Sequence, residues 1–202
     1  MNINLLDKMK ENKVFPIIRS KNPEEILKTA RAIINGGLDV IEINVGNSKI
    51  YNTIEELSKE TIICAGGIIT SVQAQIAIDC GAKIISSPIF STSLVKISKD
   101  RQIPFIAGTS TANEAYKAWQ ARIPVVKVFP ATALGGVEYI ENILRPMPFL
   151  NIIAQGDVKL NEVKAYINAG ALAVGIGRNL TAGFSCEEIT QRTKQLLESL
   201  KR

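Results

Sequence analysis

The chain has 202 residues, of which 46% are hydrophobic, 21% charged and 5% aromatic, and its formal net charge is +5. A single domain over residues 1–202 with an aliphatic core is the default at this length. The sequence contains no histidine, which excludes Ser-His-Asp and Cys-His catalysis and histidine-ligated zinc. The mild positive charge suits a small anionic substrate, but no basic run indicates a nucleic-acid partner.

A cytoplasmic protein is expected. Residues 1–13 carry charges throughout and lack the cleavage pattern of a secretory signal. The longest apolar stretches are strand-sized, so no membrane partner is expected. Cys64, Cys80 and Cys186 lie far apart and match no metal-ligand spacing, so we expect reduced and mostly buried thiols.

Short aliphatic runs recur along the chain and predict eight strands, at 14–18, 40–43, 62–65, 83–85, 103–107, 124–128, 151–154 and 172–175. The runs are rich in Val and Ile and do not clearly alternate with polar residues. This is typical of parallel strands buried on both faces. Amphipathic segments between them predict helices, most clearly at 23–35, 71–80, 111–121, 161–169 and 187–200.

Eight strands alternating with about eight helices predict an α/β fold, a single-domain (β/α)8 TIM barrel. The alternative is an open doubly wound sheet. The stretches GGLDVIEIN, CGAKIISSP and AGALAVGIG resemble one another. This weak repeat of a strand–helix unit favours the barrel.

Lys127 is the first candidate catalytic residue, because active sites of TIM barrels lie at the C-terminal ends of the strands. It stands in the aliphatic run PVVKVFPA. Burial disfavours the charged form of a lysine, and a neutral amine is the form that attacks a carbonyl carbon. The alternative is a strand-end lysine that reaches the surface or pairs with an acid for structural reasons.

Glu42 is the second candidate, near the end of the strand in LDVIEINVG. A partly buried carboxyl group can carry protons near neutral pH. The alternative is a structural ion pair. Strands two and six deliver their side chains to the same mouth of a barrel, and a lysine nucleophile needs a proton carrier that no histidine can provide here.

The chain resembles the 2-keto-3-deoxy-6-phosphogluconate (KDPG) and 4-hydroxy-2-oxoglutarate (KHG) aldolase family over nearly its whole length. The most specific segments are VVKVFPATALGG and GGLDVIEIN. The AGG at residues 65–67 is similar to the family's GAGT, and SSP at 86–88 and GTSTANE at 108–114 are also similar to family segments.

The resemblance implies a class I aldolase of carbohydrate metabolism without a metal or cofactor. Lys127 would form a Schiff base with the keto group of a small keto-acid substrate, and Glu42 would transfer the protons. The products would be pyruvate and an aldehyde, either glyceraldehyde 3-phosphate or glyoxylate. A homotrimer is implied as well.

The chain departs from the family where the substrate carboxylate would bind. The family's arginine after the glutamate strand is replaced by Gly46, and the threonine of its GAGT is replaced by Gly67. The candidates to hold the carboxylate are Arg19, Asn44 and the backbone N–H groups around Gly66 and Gly67.

The expected phosphate site is also altered. Glycines of the family let backbone N–H groups approach the phosphate, whereas this chain has Gly156-Asp157 after the seventh strand and Gly177-Arg178 after the eighth. Asp157 would repel a dianion nearby, at a cost of about 1 to 4 kcal/mol for unit charges about 4 Å apart. Arg178 would either pair with Asp157 or bind the anion. We therefore hypothesise a substrate other than the 6-phosphate, either unphosphorylated or dicarboxylic.

The predicted catalytic residues are Lys127 and Glu42. The predicted substrate-binding residues are Arg19, Asn44, Gly66, Gly67, Pro88, Thr109, Phe129, Gly156, Asp157, Gly177 and Arg178. Two other functions remain open: a non-catalytic keto-acid-binding relative, because the arginine and threonine are missing, and a sugar-phosphate epimerase or isomerase, which gives no reason for Lys127.

Overall fold

The computed structural model describes residues 4–201, which form a closed barrel of eight parallel strands in chain order. The strands are β1 (Val14–Ile18), β2 (Val40–Asn44), β3 (Ile62–Gly66), β4 (Ile84–Ser86), β5 (Phe105–Thr109), β6 (Val125–Val128), β7 (Ile152–Gln155) and β8 (Ala173–Ile176). Pairing of β8 with β1 closes the sheet. The predicted (β/α)8 TIM barrel is confirmed, and the open doubly wound sheet is excluded.

Helices surround the barrel: α1 (Leu5–Asn12), α2 (Pro23–Asn35), α3 (Ile50–Leu57), α4 (Ser71–Asp79), α5 (Thr92–Asp100), α6 (Ala112–Gln120), α7 (Gly136–Leu144), α8 (Val163–Asn168), α9 (Arg178–Thr181) and α10 (Cys186–Lys201). The predicted ends of strands and helices differ from the observed ends by at most two residues. At α6 the difference has a clear cause: Thr111 caps the helix, because its side chain accepts the backbone N–H of Glu114.

Two apolar clusters stabilise the fold. The larger one lies between the strands and the surrounding helices. The smaller one fills the barrel with one residue from each strand: Phe15, Val40, Cys64, Ile84, Ile106, Val125, Ile153 and Ala173. Leu5 and Met9 of α1 join this cluster and close the N-terminal end of the barrel. The candidate site lies at the opposite end of the barrel, where the strands finish.

The three cysteines carry free thiols, but only Cys64 is buried, so the prediction of mostly buried thiols is wrong for Cys80 and Cys186. Burial raises the pKa of the Cys64 thiol well above its ordinary value, which keeps this thiol protonated inside the barrel. Among the helices described between residues 4 and 201, none is long and apolar enough to cross a membrane.

Candidate active site

A layer of polar side chains lies inside the barrel just below its C-terminal mouth. Glu42 on β2, Ser86 on β4 and Lys127 on β6 each follow, by two residues, an inward-facing apolar residue of the same strand. Side chains two apart on a strand point to the same face. Alternate strands of a TIM barrel fill one layer, so these three side chains lie at the same height.

Lys127 and Glu42 face each other in this layer. Their side chains are only 3% and 2% exposed, and Lys127 Nζ lies 3.7 Å from Glu42 Oε2. Lys127 Nζ also donates a hydrogen bond to Ser86 Oγ over 2.7 Å. The lysine therefore does not reach the surface, which was one of the alternatives left open by the sequence. Glu42 Oε2 accepts no hydrogen bond from the rest of the described chain.

Gly66 creates the space that Glu42 occupies. A Cβ atom at this position would lie 2.5 Å from Glu42 Oε1 and 2.6 Å from the carboxyl carbon. The sequence predicts Gly66 as a substrate-binding residue, but it does not line the pocket, and the Glu42 carboxyl group rests against it.

Gly66→Ala is expected to push the Glu42 carboxyl group out of place and to lower kcat by about 10- to 100-fold, since small misplacements of reacting groups carry costs of this size. Steady-state cleavage kinetics measure the change. Gly46→Ala is the matched control, because a Cβ at Gly46 meets no atom within 4 Å. Equal kcat values for the two variants would contradict this role of Gly66.

Above the polar layer lies a cavity of about 320 Å³, lined by Arg19, Glu42, Asn44, Val45, Gly67, Pro88, Lys127, Phe129 and Gln155. All of these except Val45 and Gln155 were predicted from the sequence. The cavity opens at the strand ends, and Lys127 Nζ and Glu42 Oε2 lie at its base. A small molecule entering here meets the amine and the carboxyl group together.

The polar groups at the mouth suit an anion. The Arg19 guanidinium lies over the Phe129 ring, 5.8 Å from its centre. Asn44 Oδ1 occupies the space that a side chain on Gly67 would take, and Gly67 has a φ of +73°. The family's threonine would therefore clash at position 67, and the Asn44 amide stands in its place.

A second, smaller cavity of about 60 Å³ adjoins the first and is lined by Ile17, Arg19, Gln155, Gly156, Asp157, Gly175, Gly177, Arg178 and Asn179. Arg19 and Gln155 line both cavities. The predicted pair of Arg178 and Asp157 is present, with 3.7 Å between Nη2 and Oδ1, but the side chains are 79% and 71% exposed. Such an exposed pair stabilises by roughly 0 to 1 kcal/mol, so it does not seal this cavity.

Thr109, like Gly66, is a predicted site residue that does not line either cavity. It is buried in β5, and its hydroxyl group donates to the backbone carbonyl of Lys127 over 3.4 Å. The remaining predicted residues, Gly156 and Gly177, line the smaller cavity with Asp157 and Arg178.

Two residues that sequence analysis left out of the site belong to it. Ser86 is fully buried and contacts Lys127 Nζ, and Gln155 is 2% exposed with an Oε1 atom that receives no hydrogen bond from residues 4–201. Both were visible as polar residues at strand ends. The signal that identifies them is their position two residues after an inward-facing apolar residue, Ile84 or Ile153.

Within the described residues, no group of three or more Asp, Glu or Cys side chains is arranged to hold a metal ion. The buried amine of Lys127 and the buried carboxyl group of Glu42, 3.7 Å apart, can combine nucleophilic attack with proton transfer.

Known proteins of one enzyme family resemble this chain over almost its whole length. The sequence profile of the family described as KDPG and KHG aldolase matches residues 5–199. The 2-dehydro-3-deoxy-phosphogluconate aldolase of Haemophilus influenzae is 27% identical over 205 residues, covering 98% of this chain and 97% of that aldolase. The 2-dehydro-3-deoxy-6-phosphogalactonate aldolase of Escherichia coli is 25% identical, and the match covers 93% of this chain and 94% of that aldolase.

A similar fold is found in the crystal structure of KDPG aldolase from Legionella pneumophila, which was solved with pyruvate captured as a covalent carbinolamine intermediate. The TM-score is 0.89 with 22% sequence identity, covering 97% of this chain and 99% of that one. Aldolases of this family are carbon–carbon lyases that need no metal ion. The profile covers almost all of the chain, and the chain therefore belongs to the KDPG and KHG aldolase family as a carbon–carbon lyase.

Proposed function

We propose that the protein is a class I aldolase that cleaves a 2-keto-3-deoxy sugar acid or 4-hydroxy-2-oxoglutarate, with Lys127 as the nucleophile and Glu42 as the general acid and base. One observation carries this proposal: the buried Lys127 Nζ lies 3.7 Å from the buried Glu42 Oε2 at the base of an open cavity. A structural ion pair would not need a cavity above it.

Schiff-base formation needs one nucleophile and one proton carrier. The neutral Lys127 amine attacks the keto carbon and forms a carbinolamine. The former keto oxygen leaves as water, taking one proton from the nitrogen and one from the Glu42 carboxyl group. The nitrogen keeps its last proton and carries the positive charge of the iminium ion.

Cleavage uses the iminium ion as an electron sink. The Glu42 carboxylate removes the proton from the hydroxyl group at C4, the C3–C4 bond breaks, and the aldehyde leaves. The bonding electrons pass to the iminium and give an enamine. Protonation of the enamine carbon by Glu42, followed by hydrolysis of the imine, releases pyruvate and returns Lys127 to its starting state.

The keto-acid carboxylate needs a cationic or N–H partner near Lys127. Arg19 and Asn44 line the cavity, and the guanidinium and the amide both offer N–H donors. Gly67 and Pro88 shape the same wall, where the absence of a side chain at Gly67 leaves room for the Asn44 amide. Phe129 supports Arg19 by contact with its guanidinium.

The distal end of the substrate would reach the smaller cavity through Arg19 and Gln155. Relatives of the chain act on phosphorylated sugar acids, as their names state. Here, Asp157 and Arg178 balance each other in charge, so this end offers no net positive charge beyond Arg19. This supports the hypothesis of an unphosphorylated or dicarboxylic substrate.

Asp157→Asn is expected to improve kcat/KM for the phosphorylated keto acid by about 5- to 30-fold, because two exposed unit charges about 4 Å apart in water repel by about 1 kcal/mol and a dianion carries two charges. The unphosphorylated analogue should change little and serves as the control substrate. Asparagine tolerates the positive φ of 54° at this position, so the backbone is preserved. A clear preference of the unaltered protein for the phosphorylated compound would remove the hypothesis.

Incubation with pyruvate and borohydride, followed by mass measurement, tests the proposed chemistry. The reduced adduct should appear on Lys127 and should be located by peptide mapping. If the protein remains folded and no adduct forms, it is a non-catalytic keto-acid-binding relative or a barrel with other chemistry, such as a sugar-phosphate epimerase.

We also infer that the protein is one domain over residues 1–202 and works in the cytoplasm.

We further infer that the protein assembles as a homotrimer. Exposed apolar side chains on α4 and in the loops before α4 and α5 support an interface between subunits: Ile69, Val72, Ile76 and Ile89. A protein cage designed by fusing symmetric oligomeric domains contains a similar fold. Light scattering tests the assembly, and a monomer in solution would contradict it.

A further inference from the structure

Ser86 contacts the side-chain nitrogen of Lys127 inside the barrel. Its side chain is fully buried, and its Oγ accepts a hydrogen bond from Lys127 Nζ over 2.7 Å. β5 separates the strands that carry these two residues. The β5 residue paired with Lys127 is Gly108, which has no side chain to intervene between them. The contact therefore crosses the barrel interior and is not a by-product of strand pairing.

The proposed reaction leaves a hydrogen atom on the nitrogen of Lys127 at every stage. The amine, the carbinolamine and the protonated imine each keep at least one N–H group. A buried N–H group without an acceptor costs as much free energy as a lost hydrogen bond. Glu42 Oε2 lies 3.7 Å from Nζ, beyond hydrogen-bonding distance, whereas Ser86 Oγ is already within it.

The chemical nature of the acceptor matters for the electron sink. A carboxylate held against the iminium N–H would draw off the proton and weaken the positive charge that attracts the electrons of the breaking bond. A serine hydroxyl is a neutral acceptor and leaves that charge on the nitrogen. It also leaves Glu42 free to serve the oxygen and carbon atoms of the substrate.

We propose that Ser86 is a catalytic residue that accepts the N–H of Lys127 throughout the cycle and binds the iminium N–H. This role rests on the proposed Schiff-base function. Ser86 holds the nitrogen in one position, and Glu42 moves the protons.

Rapid-quench trapping of pyruvate with borohydride, read by mass spectrometry, tests this role in Ser86→Ala and Ser86→Thr. Ser86→Ala should slow adduct formation and lower kcat by about 10- to 100-fold, as expected when a buried donor loses its acceptor. The KM for the keto acid should change much less, because Ser86 does not touch the substrate carboxylate. Ser86→Thr keeps a hydroxyl group and should restore most of the rate.

Ser87→Ala is the matched control. Ser87 is equally buried and lies next in the chain, but its Oγ accepts the backbone N–H of Ile89 over 3.2 Å. Its rate should equal that of the unaltered protein. Circular dichroism and thermal unfolding report folding, and if Ser86→Ala does not fold, Ser86→Cys, with a weak acceptor of similar size, carries the same comparison.

The outcomes separate this role from the proposed function. If the unaltered protein forms no pyruvate adduct, the Schiff-base function fails and the role of Ser86 fails with it. If the unaltered protein forms the adduct and Ser86→Ala traps pyruvate at the same rate, only the role of Ser86 is overturned. A Ser86→Thr variant no faster than a folded Ser86→Ala variant would also overturn it.

Discussion

Replacing Lys127 by methionine is expected to abolish aldol cleavage, with kcat/KM falling by at least about 10⁴-fold, because the variant has no amine to form the Schiff base. Methionine is unbranched and similar in length, so it should fit the buried position beside Ser86. Arg19 is the other cation that lines the larger cavity, and a guanidinium is a poor nucleophile because it stays protonated. Cleavage assays and borohydride trapping measure both effects.

Lys83→Met provides the control for this variant. Lys83 is exposed just before β4, so its loss should leave kcat and the adduct unchanged. A folded Lys127→Met protein that still traps pyruvate would show that the nucleophile is another residue. Peptide mapping would then locate it.

Glu42→Gln is expected to lower kcat by about 10²- to 10⁴-fold, the range for loss of a general acid or base. Glutamine has the same shape and should rest against Gly66 as the carboxyl group does, so the change removes proton transfer and little else. The adduct with pyruvate should still form, though slowly, because Lys127 remains. Deuterium uptake into the methyl group of pyruvate, followed by NMR, should fall in parallel with kcat.

Glu55→Gln is the matched control, since Glu55 is an exposed residue of α3 and removal of its charge should not alter the reaction. Loss of deuterium exchange with retention of the adduct would assign Glu42 to proton transfer. If Glu42→Gln exchanged deuterium at the rate of the unaltered protein, another group would have to carry the proton.

The barrel could be predicted because its signals are local. Eight aliphatic runs alternate along the chain with amphipathic segments that predict helices. The aliphatic composition of each run indicates by itself that the strand is buried. The repeat does not show which α-helix closes the bottom of the barrel. α1 was not predicted, because its short segment carries charges, and its role became visible only through the contacts of Leu5 and Met9 inside the barrel.

The phosphate end illustrates the limit of sequence reasoning about charge. The sequence placed Asp157 and Arg178 in consecutive strand-end loops and left open whether their pair would fill the site. The structure shows the pair at 3.7 Å with both side chains largely in solvent. The solvent exposure of these two side chains depends on the path of the loops as they leave the barrel. No local sequence pattern predicts that path.

For the proposed catalytic centre, the sequence by itself determined that Lys127 and Glu42 lie in strands of buried aliphatic residues, but left open whether the Lys127 side chain reaches the surface. Only the tertiary structure decided that they face each other at 3.7 Å and that Ser86 joins them. Ser86 and Lys127 are 41 residues apart in the chain. Closure of the barrel brings alternate strands into one layer, and the distance between their side chains is a property of that closure rather than of any segment of the sequence.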